Sequence, residues 1–245
     1  MKTTFLKTGI SIMIAAAMLA SCKKGGSYST VLSSAQLSMG VNADNAATSL
    51  ATTNNTGTPA ASSTGSAASS INFTSAIANI SGFKFEATRK GLQIDVRSNN
   101  LSTVDLFAIN PSMTGITLDT GTYTEIEIRV EFSKSSTSTL PLVLKGTFTT
   151  STGTAIPIEF DLNDNAEVSA AAHDVVVDGK TNLTSIVTMH LGKLLAGISS
   201  ADIAAATQTN GTIIISSTSN QSIYNRVLSN FSSCGDWDGF EHHDR

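Results

Sequence analysis

Apolar and polar residues alternate with a period of two over most of the chain after residue 70. The segment 122–132 shows this most clearly, since apolar side chains at every second position are separated by charged residues such as Glu127 and Arg129. This period places one face of a β-strand in a core and the other face in solvent. The strands that it predicts are 71–88, divided or kinked at Gly82, then 92–97, 104–109, 122–132, 140–149, 155–162, 183–191 and 213–215.

These short strands, separated by turns rich in glycine and asparagine at spacings of about ten residues, predict an antiparallel β-sandwich. Pro157 cannot donate a ladder hydrogen bond, which predicts that 155–162 is an edge strand. Ser200 is the expected N-cap of a helix that follows it. The helical segments predicted toward the C-terminus are about 191–198, 201–207 and 223–231. The predicted fold class is therefore mainly β, with a few short helices near the C-terminus.

The first 22 residues have the organisation of a bacterial lipoprotein signal. Two lysines precede an apolar core that is too short to span a bilayer, which takes about 20 apolar residues. The core ends in Leu19-Ala20-Ser21-Cys22, which resembles the lipobox of bacterial lipoproteins. The resemblance implies that residues 1–21 are a signal peptide cleaved between Ser21 and Cys22, and that Cys22 carries a diacylglycerol on its thiol and an acyl chain on its amino group. The alternative interpretations are an ordinary secretory signal that contains a cysteine, and a buried N-terminal helix.

Residues 22–70 are predicted to form a disordered tether between the anchor and the folded domain. Most of this segment consists of Ala, Ser, Thr, Asn and Gly, which bury too little apolar surface to offset the entropy of ordering. The composition changes at Ile71, so the predicted sandwich domain covers residues 71–233. Residues 234–245 are predicted to form a flexible tail of acidic residues and histidines. A chain that begins near Ser70 is then expected to fold alone.

Charge and cysteine content limit the possible functions. The chain has a formal net charge of −4 and only 14% charged residues, so it lacks the basic surface of a protein that binds nucleic acid. It contains two cysteines. If Cys22 carries lipid, Cys234 has no partner for an intramolecular disulfide, although an exported protein could form one. The domain would then depend on its core for stability.

A five-residue turn, Asp119-Thr120-Gly121-Thr122-Tyr123, precedes the clearest strand. Asp-x-Gly-x-Tyr at a strand entrance resembles the tyrosine corner of Greek-key sandwiches, in which the tyrosine hydroxyl bonds a backbone group upstream. We expect the Tyr123 hydroxyl to bond near Asp119, with Gly121 in a conformation that is costly for other residues. Tyr123 has the parity of the exposed Glu125, however. A buried tyrosine therefore requires a bend or bulge at the strand entry, or a position at the open end of the sandwich.

The motif at the turn extends into a wider pattern. It begins as Leu118-x-x-Gly121-x-Tyr123, which is similar to the strand entry of prealbumin-like domains. It continues as Ile158-Glu159-Phe160-Asp161 and a late strand before a small helical region. This pattern, over most of residues 71–198, resembles a family of uncharacterised bacterial lipoproteins that carry one β-sandwich domain of unknown function. The resemblance implies the fold and a membrane anchor, and it implies no catalytic residue.

The remaining candidates for chemistry each have a simpler structural interpretation. Glu125, Glu127 and Glu131 could act as acid and base, but they fit the solvated face of a strand. The segment 161–167 lacks the glycine and the final acid of a calcium loop and fits a turn. The tail contains weak metal-ligand candidates, and a flexible tail would bear the full entropy of ordering on binding a metal. They are Asp236, Asp238, Glu241, His242 and His243. No hydrolase, zinc-protease or phosphate-loop motif occurs, and we predict no cofactor.

These observations favour a lipid-anchored, extracytoplasmic, non-enzymatic β-sandwich that binds a glycan or an envelope protein, or has a structural role. The alternatives are a pilus-like assembly subunit that uses an exposed sheet edge, and an extracytoplasmic hydrolase that uses a carboxylate pair. The sequence after the cysteine is Lys23-Lys24-Gly25-Gly26, without the aspartate or the acidic run that sorts some lipoproteins. We therefore predict the outer membrane, on its periplasmic or its outer face.

Overall fold

Strands account for most of the described residues, as the period-two pattern predicts. The computed structural model describes residues 33–51, 68–99, 102–109 and 113–244. The strands are β1 (Ser34–Ala43), β2 (Thr48–Ser49), β3 (Ser70–Ile80), β4 (Gly82–Arg89), β5 (Leu92–Ser98), β6 (Ser102–Asp105), β7 (Met113–Asp119), β8 (Gly121–Phe132), β9 (Leu142–Thr149), β10 (Ala155–Leu162), β11 (Ala166–Val177), β12 (Thr181–Met189), β13 (Gln208–Thr209), β14 (Thr212–Ser216) and β15 (Gly235–Asp244). The helices are α1 (Leu191–Leu194), α2 (Ser200–Ala204) and α3 (Gln221–Asn230), followed by a 3₁₀ turn over Phe231–Ser233. Within these ranges, none of the helices is long and apolar enough to cross a membrane.

The strands form three sheets. The first has the order β15-β12-β1-β7, and the third has the order β11-β8-β4-β5. The second has the order β13-β14-β10-β9-β3-β2, with β6 also paired to β3. Most pairs are antiparallel, and the short helices lie near the C-terminus, which confirms the predicted fold class. The pairs β1–β12 and β10–β14 are parallel, which the sequence pattern did not predict.

The inward-facing side chains of all three sheets form one buried core. Leu37 of the first sheet, Phe148 of the second and Phe85 of the third are each fully buried in it. Phe132 at the end of β8 packs edge-on against Phe231, with 5.2 Å between ring centroids. This contact joins the helical region to the third sheet, so the C-terminal helices belong to the same core.

The prediction of a tether over residues 22–70 is wrong for residues 34–49. Strand β1 lies in the middle of the first sheet, and its Leu37, Met39 and Val41 are fully buried. The composition of the segment as a whole concealed this short alternation of apolar side chains. A chain that begins at Ser70 lacks β1, so we no longer expect it to fold alone. The other tether residues, 22–32 and 52–67, lie outside the described part.

The prediction of a flexible tail over residues 234–245 is wrong as well. Strand β15 pairs with β12 from Asp244 opposite Thr181 to Gly235 opposite Met189. Trp237 packs edge-on against Phe240, with 4.6 Å between centroids, and both rings lie against the core. The two aromatic residues supply the apolar contact that holds this otherwise polar strand on the sheet.

Two local predictions are also corrected. Strand β10 lies between β9 and β14 and is not an edge strand, but its pairing with β14 begins at Ile158, one residue after Pro157. The proline therefore precedes the part of the strand that has neighbours on both sides. The N-cap of α2 is Ser199 and not Ser200: its hydroxyl accepts a hydrogen bond from the backbone N–H of Asp202, whose carboxylate accepts one in return from the Ser199 N–H.

Candidate functional site

The turn between β7 and β8 contains the predicted tyrosine corner. Asp119 ends β7 and Gly121 begins β8. The Tyr123 hydroxyl donates a hydrogen bond of 2.9 Å to the backbone carbonyl of Asp119, as predicted from the motif. Gly121 has a φ of +146°, a conformation that side chains rarely adopt. Burial raises the pKa of Tyr123, so its hydroxyl remains a hydrogen-bond donor.

A β-bulge explains how Tyr123 is buried despite the parity of the strand. Opposite β4, Thr88 faces Glu125 and the next residue, Arg89, faces Tyr123, so Thr124 is an extra residue on β8. Tyr123 and Ile126 are consequently both fully buried, while Glu125 between them is exposed. The sequence analysis required a bend, a bulge or a position at the open end of the sandwich for Tyr123 to be buried. The structure has the bulge.

Arg89 holds this corner, and the sequence analysis did not identify it as a structural residue. Its guanidinium donates hydrogen bonds of 2.7 Å to the Asp119 carboxylate and 3.0 Å to the Thr120 carbonyl. The same guanidinium lies 5.7 Å from the centroid of the Tyr123 ring. Arg89 thus connects the end of β4 to the turn that joins the first and third sheets.

Three chain connections meet at this end of the domain, together with the start of β1. We call it the entry end and define it by Ser33, the β4–β5 turn at 90–91, Thr120, and the β11–β12 turn at 178–180. The Thr120 N–H donates a hydrogen bond of 3.0 Å to the Ser33 carbonyl. A Cβ on Gly179 would lie 2.6 Å from the Thr120 methyl group, so the two turns that link the first and third sheets are in contact.

The lipobox residues Ser21 and Cys22 lie outside the described residues. Along the chain, they precede the first described residue, Ser33, by a short segment. Ser33 lies eleven positions after Cys22, and a fully extended chain of that length spans at most about 40 Å. The tether predicted from composition had 48 residues after Cys22, and the structure replaces part of it with the strands β1 and β2.

A second cluster, around His190, was also missed. His190 Nδ1 lies 2.8 Å from the Asp44 carboxylate, and the other oxygen of that carboxylate accepts a hydrogen bond from the Leu191 N–H. His190 Nε2 lies 3.5 Å from the Asp236 carboxylate, which is 3.8 Å from the Lys193 ammonium. Both imidazole nitrogens thus face carboxylates, and the cluster ties the ends of β1 and β12 to β15. Asp44 is 146 positions away in sequence, so no local signal could have revealed the pair.

The metal-ligand candidates of the tail are spread along β15. Asp236 lies opposite Thr188 and His242 opposite Leu183, five ladder positions apart. The backbones of these two residues are therefore roughly 16 Å apart. A hydrogen bond from the Trp237 N–H, followed by the charge of Lys193, lowers the pKa of Asp236. Of Asp238, Glu241, His242 and His243 the structure describes only the backbone. Among the described residues, no group of three or more acidic, histidine or cysteine side chains could hold a metal ion.

The exposed face of the third sheet carries a network of ion pairs. The Arg129 guanidinium lies 2.8 Å from Glu127, 3.2 Å from Glu86 and 3.8 Å from Glu167. Lys84 pairs with Glu86 at 2.8 Å, and this hydrogen bond lowers the pKa of Glu86. A shallow cavity of about 230 Å³ lies beside the network. Since Glu86 stays ionised here, the geometry agrees with a solvated strand face more than with an acid and base pair.

The carboxyl group whose pKa is raised lies elsewhere, on β10. Burial, and then the neighbouring Glu159, raise the pKa of Asp161. Glu159 also pairs with Lys145 of β9 at 3.0 Å. Because Glu159 and Asp161 are two residues apart on one strand, their side chains share a face of the second sheet. The two carboxylates therefore lie side by side, and the raised pKa belongs to the more buried environment of Asp161.

A larger cavity, of about 440 Å³, opens between β3 and the loop that joins β8 to β9. Its lining includes the polar side chains of Asn79, Ser81, Thr103, Ser135 and Thr139. Asn79 accepts a hydrogen bond of 2.6 Å from the Thr103 hydroxyl and donates one of 2.6 Å to the Leu140 carbonyl. Hydroxyl and amide groups suit a polar ligand such as a glycan, although the lining has no aromatic side chain on which a sugar could stack.

Comparisons with protein-family models, curated proteins and solved structures find no match to this chain. The resemblance to bacterial lipoproteins with a β-sandwich therefore remains a prediction that rests on the motifs themselves.

Proposed function

We propose that this protein is a lipid-anchored domain of the bacterial cell envelope, with a binding or structural role that does not involve catalysis. The observation that carries the proposal is the distance along the chain from Cys22 to β1. The lipobox cysteine precedes the first residue of the described domain by eleven positions, and that residue leads into a strand at the centre of a sheet. An anchor at Cys22 would therefore hold a folded domain close to a membrane.

Two surfaces could serve a binding role. The ion-pair network around Arg129 offers charged groups in fixed positions to an envelope protein. The cavity beside Asn79 offers hydroxyl and amide groups to a glycan. The residues that follow Cys22 support a location at the outer membrane.

The position of β1 also bears on the assembly alternative. A pilus-like subunit that receives a strand from a neighbour needs an open place in a sheet. Within the described part of the first sheet, β1 lies between β12 and β7, and its own chain supplies the central strand. This arrangement supports an anchored domain more than a strand-accepting subunit.

Metabolic labelling with a fatty-acid analogue tests the proposal. We expect the wild-type chain, expressed in a bacterium, to incorporate the label and to sediment with membranes. Cys22→Ser should lose both properties. Cys234→Ser is the matched control, because it removes the other cysteine. Cys234 is buried, and it lies far from the lipobox in sequence. Label that persists in Cys22→Ser, or is absent from the wild type, would contradict the proposal.

A further inference from the structure

We propose that the entry end of the domain rests on the lipid surface, with Leu92 and Val176 as its two apolar contacts. This inference rests on the proposed lipid anchor at Cys22. The chain reaches the folded domain at Ser33, which is bonded to Thr120 in the turn between the first and third sheets. Ser33 lies eleven positions after Cys22, and a fully extended chain of that length spans at most about 40 Å. The entry end is therefore where the chain that follows the anchor joins the domain.

Exposed apolar side chains are concentrated at this end. Three large hydrophobic side chains are markedly exposed in the described structure: Leu92 (71%), Ile109 (96%) and Val176 (57%). Leu92 begins β5 immediately after the turn at Lys90 and Gly91, and Val176 lies opposite Thr122 near the end of β11. Both therefore belong to the entry end of the third sheet. A single exposed apolar side chain is ordinary on a protein surface. Two of them at the end where the chain enters the domain indicate a common surface.

The two side chains lie at opposite edges of that sheet. Its order is β11-β8-β4-β5, so three strand spacings, or roughly 14 Å, separate the strand of Val176 from the strand of Leu92. Contacts at both edges would fix the tilt of the domain, which a single tether cannot do.

The charges at the entry end indicate that the contact is mainly apolar. Lys90 and Lys180 are exposed there, and so are Asp174 and Asp178. Arg89 is already paired with Asp119. Positive and negative groups are thus balanced, so the orientation should depend little on the fraction of anionic lipid.

Site-directed fluorescence in vesicles tests the orientation. Leu92→Cys and Val176→Cys are each introduced into the full-length, lipidated protein and labelled with an environment-sensitive fluorophore. The matched control is Thr152→Cys, an exposed position in the turn between β9 and β10 of the second sheet, whereas Leu92 and Val176 belong to the third sheet. The native Cys234 is fully buried and Cys22 is acylated, so the introduced thiol is the one that reacts. The proteins are placed in vesicles of phosphatidylethanolamine with or without phosphatidylglycerol, containing a lipid with a nitroxide headgroup.

We expect the nitroxide to quench the labels at 92 and 176 at least twofold more than the label at 152, with both lipid compositions. Equal quenching at all three positions in protein that remains bound to vesicles would overturn the inference and leave the proposed anchor intact. Protein that does not remain with the vesicles would contradict the anchor itself, and the inference would fall with it.

Discussion

The Tyr123 hydroxyl and the Asp119 carbonyl are joined by a hydrogen bond of 2.9 Å across the turn that connects β7 to β8. Tyr123 is fully buried, and Asp119, whose carbonyl accepts the bond, is half-buried. Tyr123→Phe keeps the ring and removes the donor. Because a buried hydrogen-bonding group left without its partner is unfavourable, we expect the free energy of unfolding to fall by about 1–3 kcal/mol, measured by urea denaturation. The folded structure should be retained.

Tyr224→Phe is the matched control for this prediction. The Tyr224 ring is also buried, but its hydroxyl makes longer contacts, 3.3 Å to the Asp164 carboxylate and 3.4 Å to the Asn163 N–H. The control should therefore lose less stability. If both variants lose the same amount, the corner bond does not have the role assigned to it.

Gly146 of β9 tests the packing of the second sheet. A Cβ at this position would lie 2.3 Å from the Asn72 carbonyl oxygen, where β3 has its bulge. We expect Gly146→Ala to reduce the free energy of unfolding by about 1–3 kcal/mol, because the backbone of β3 must shift. Gly115→Ala in β7 is the control, since its Cβ would meet nothing closer than the Leu37 carbonyl at 3.7 Å. The control should be neutral or up to about 1 kcal/mol more stable.

Strand β1 should be essential for folding, and the segment between β2 and β3 should not be. A chain that begins at Ser70 lacks the central strand of the first sheet and should show no cooperative thermal transition by circular dichroism. The Leu50 N–H bonds the Ser69 carbonyl at 2.8 Å, so the ends of the intervening segment already meet. Replacing residues 52–67 with a short glycine–serine linker should preserve the transition. Cooperative melting of the chain from Ser70 would contradict the position of β1.

The thiol of Cys234 should be unreactive in the folded protein. It is fully buried, and burial raises its pKa to about 12. In Cys22→Ser, expressed without residues 1–21, a thiol reagent at pH 8 should therefore modify Cys234 only after unfolding. Rapid modification of Cys234 in the folded protein would contradict its buried position.

The raised pKa of Cys234 makes the free energy of unfolding depend on pH. Between about pH 9 and pH 12, the unfolded state releases the Cys234 proton and the folded state keeps it. The stability should therefore fall as the pH rises in this range, by about 1.4 kcal/mol per pH unit from this group. Cys234→Ala should remove that part of the slope, and identical slopes in the two proteins would show that the thiol does not titrate as described.

The sequence predicts local features of this fold well and distant contacts poorly. The alternation in 122–132 identified β8, and the Asp-x-Gly-x-Tyr motif identified the bond from Tyr123 to Asp119, because both depend on neighbouring residues. Strand β1 was missed because its apolar alternation is short and lies in a segment of tether-like composition. The pair of His190 and Asp44 depends on the parallel pairing of β1 with β12, which no local pattern encodes.

Mass spectrometry of the N-terminal peptide of the mature protein, purified from bacterial membranes, tests the lipid anchor most directly. We predict a peptide that begins at Cys22 and carries a diacylglycerol on the thiol and an acyl chain on the amino group. A mature protein that begins at another residue, or an unmodified Cys22, would contradict the anchor.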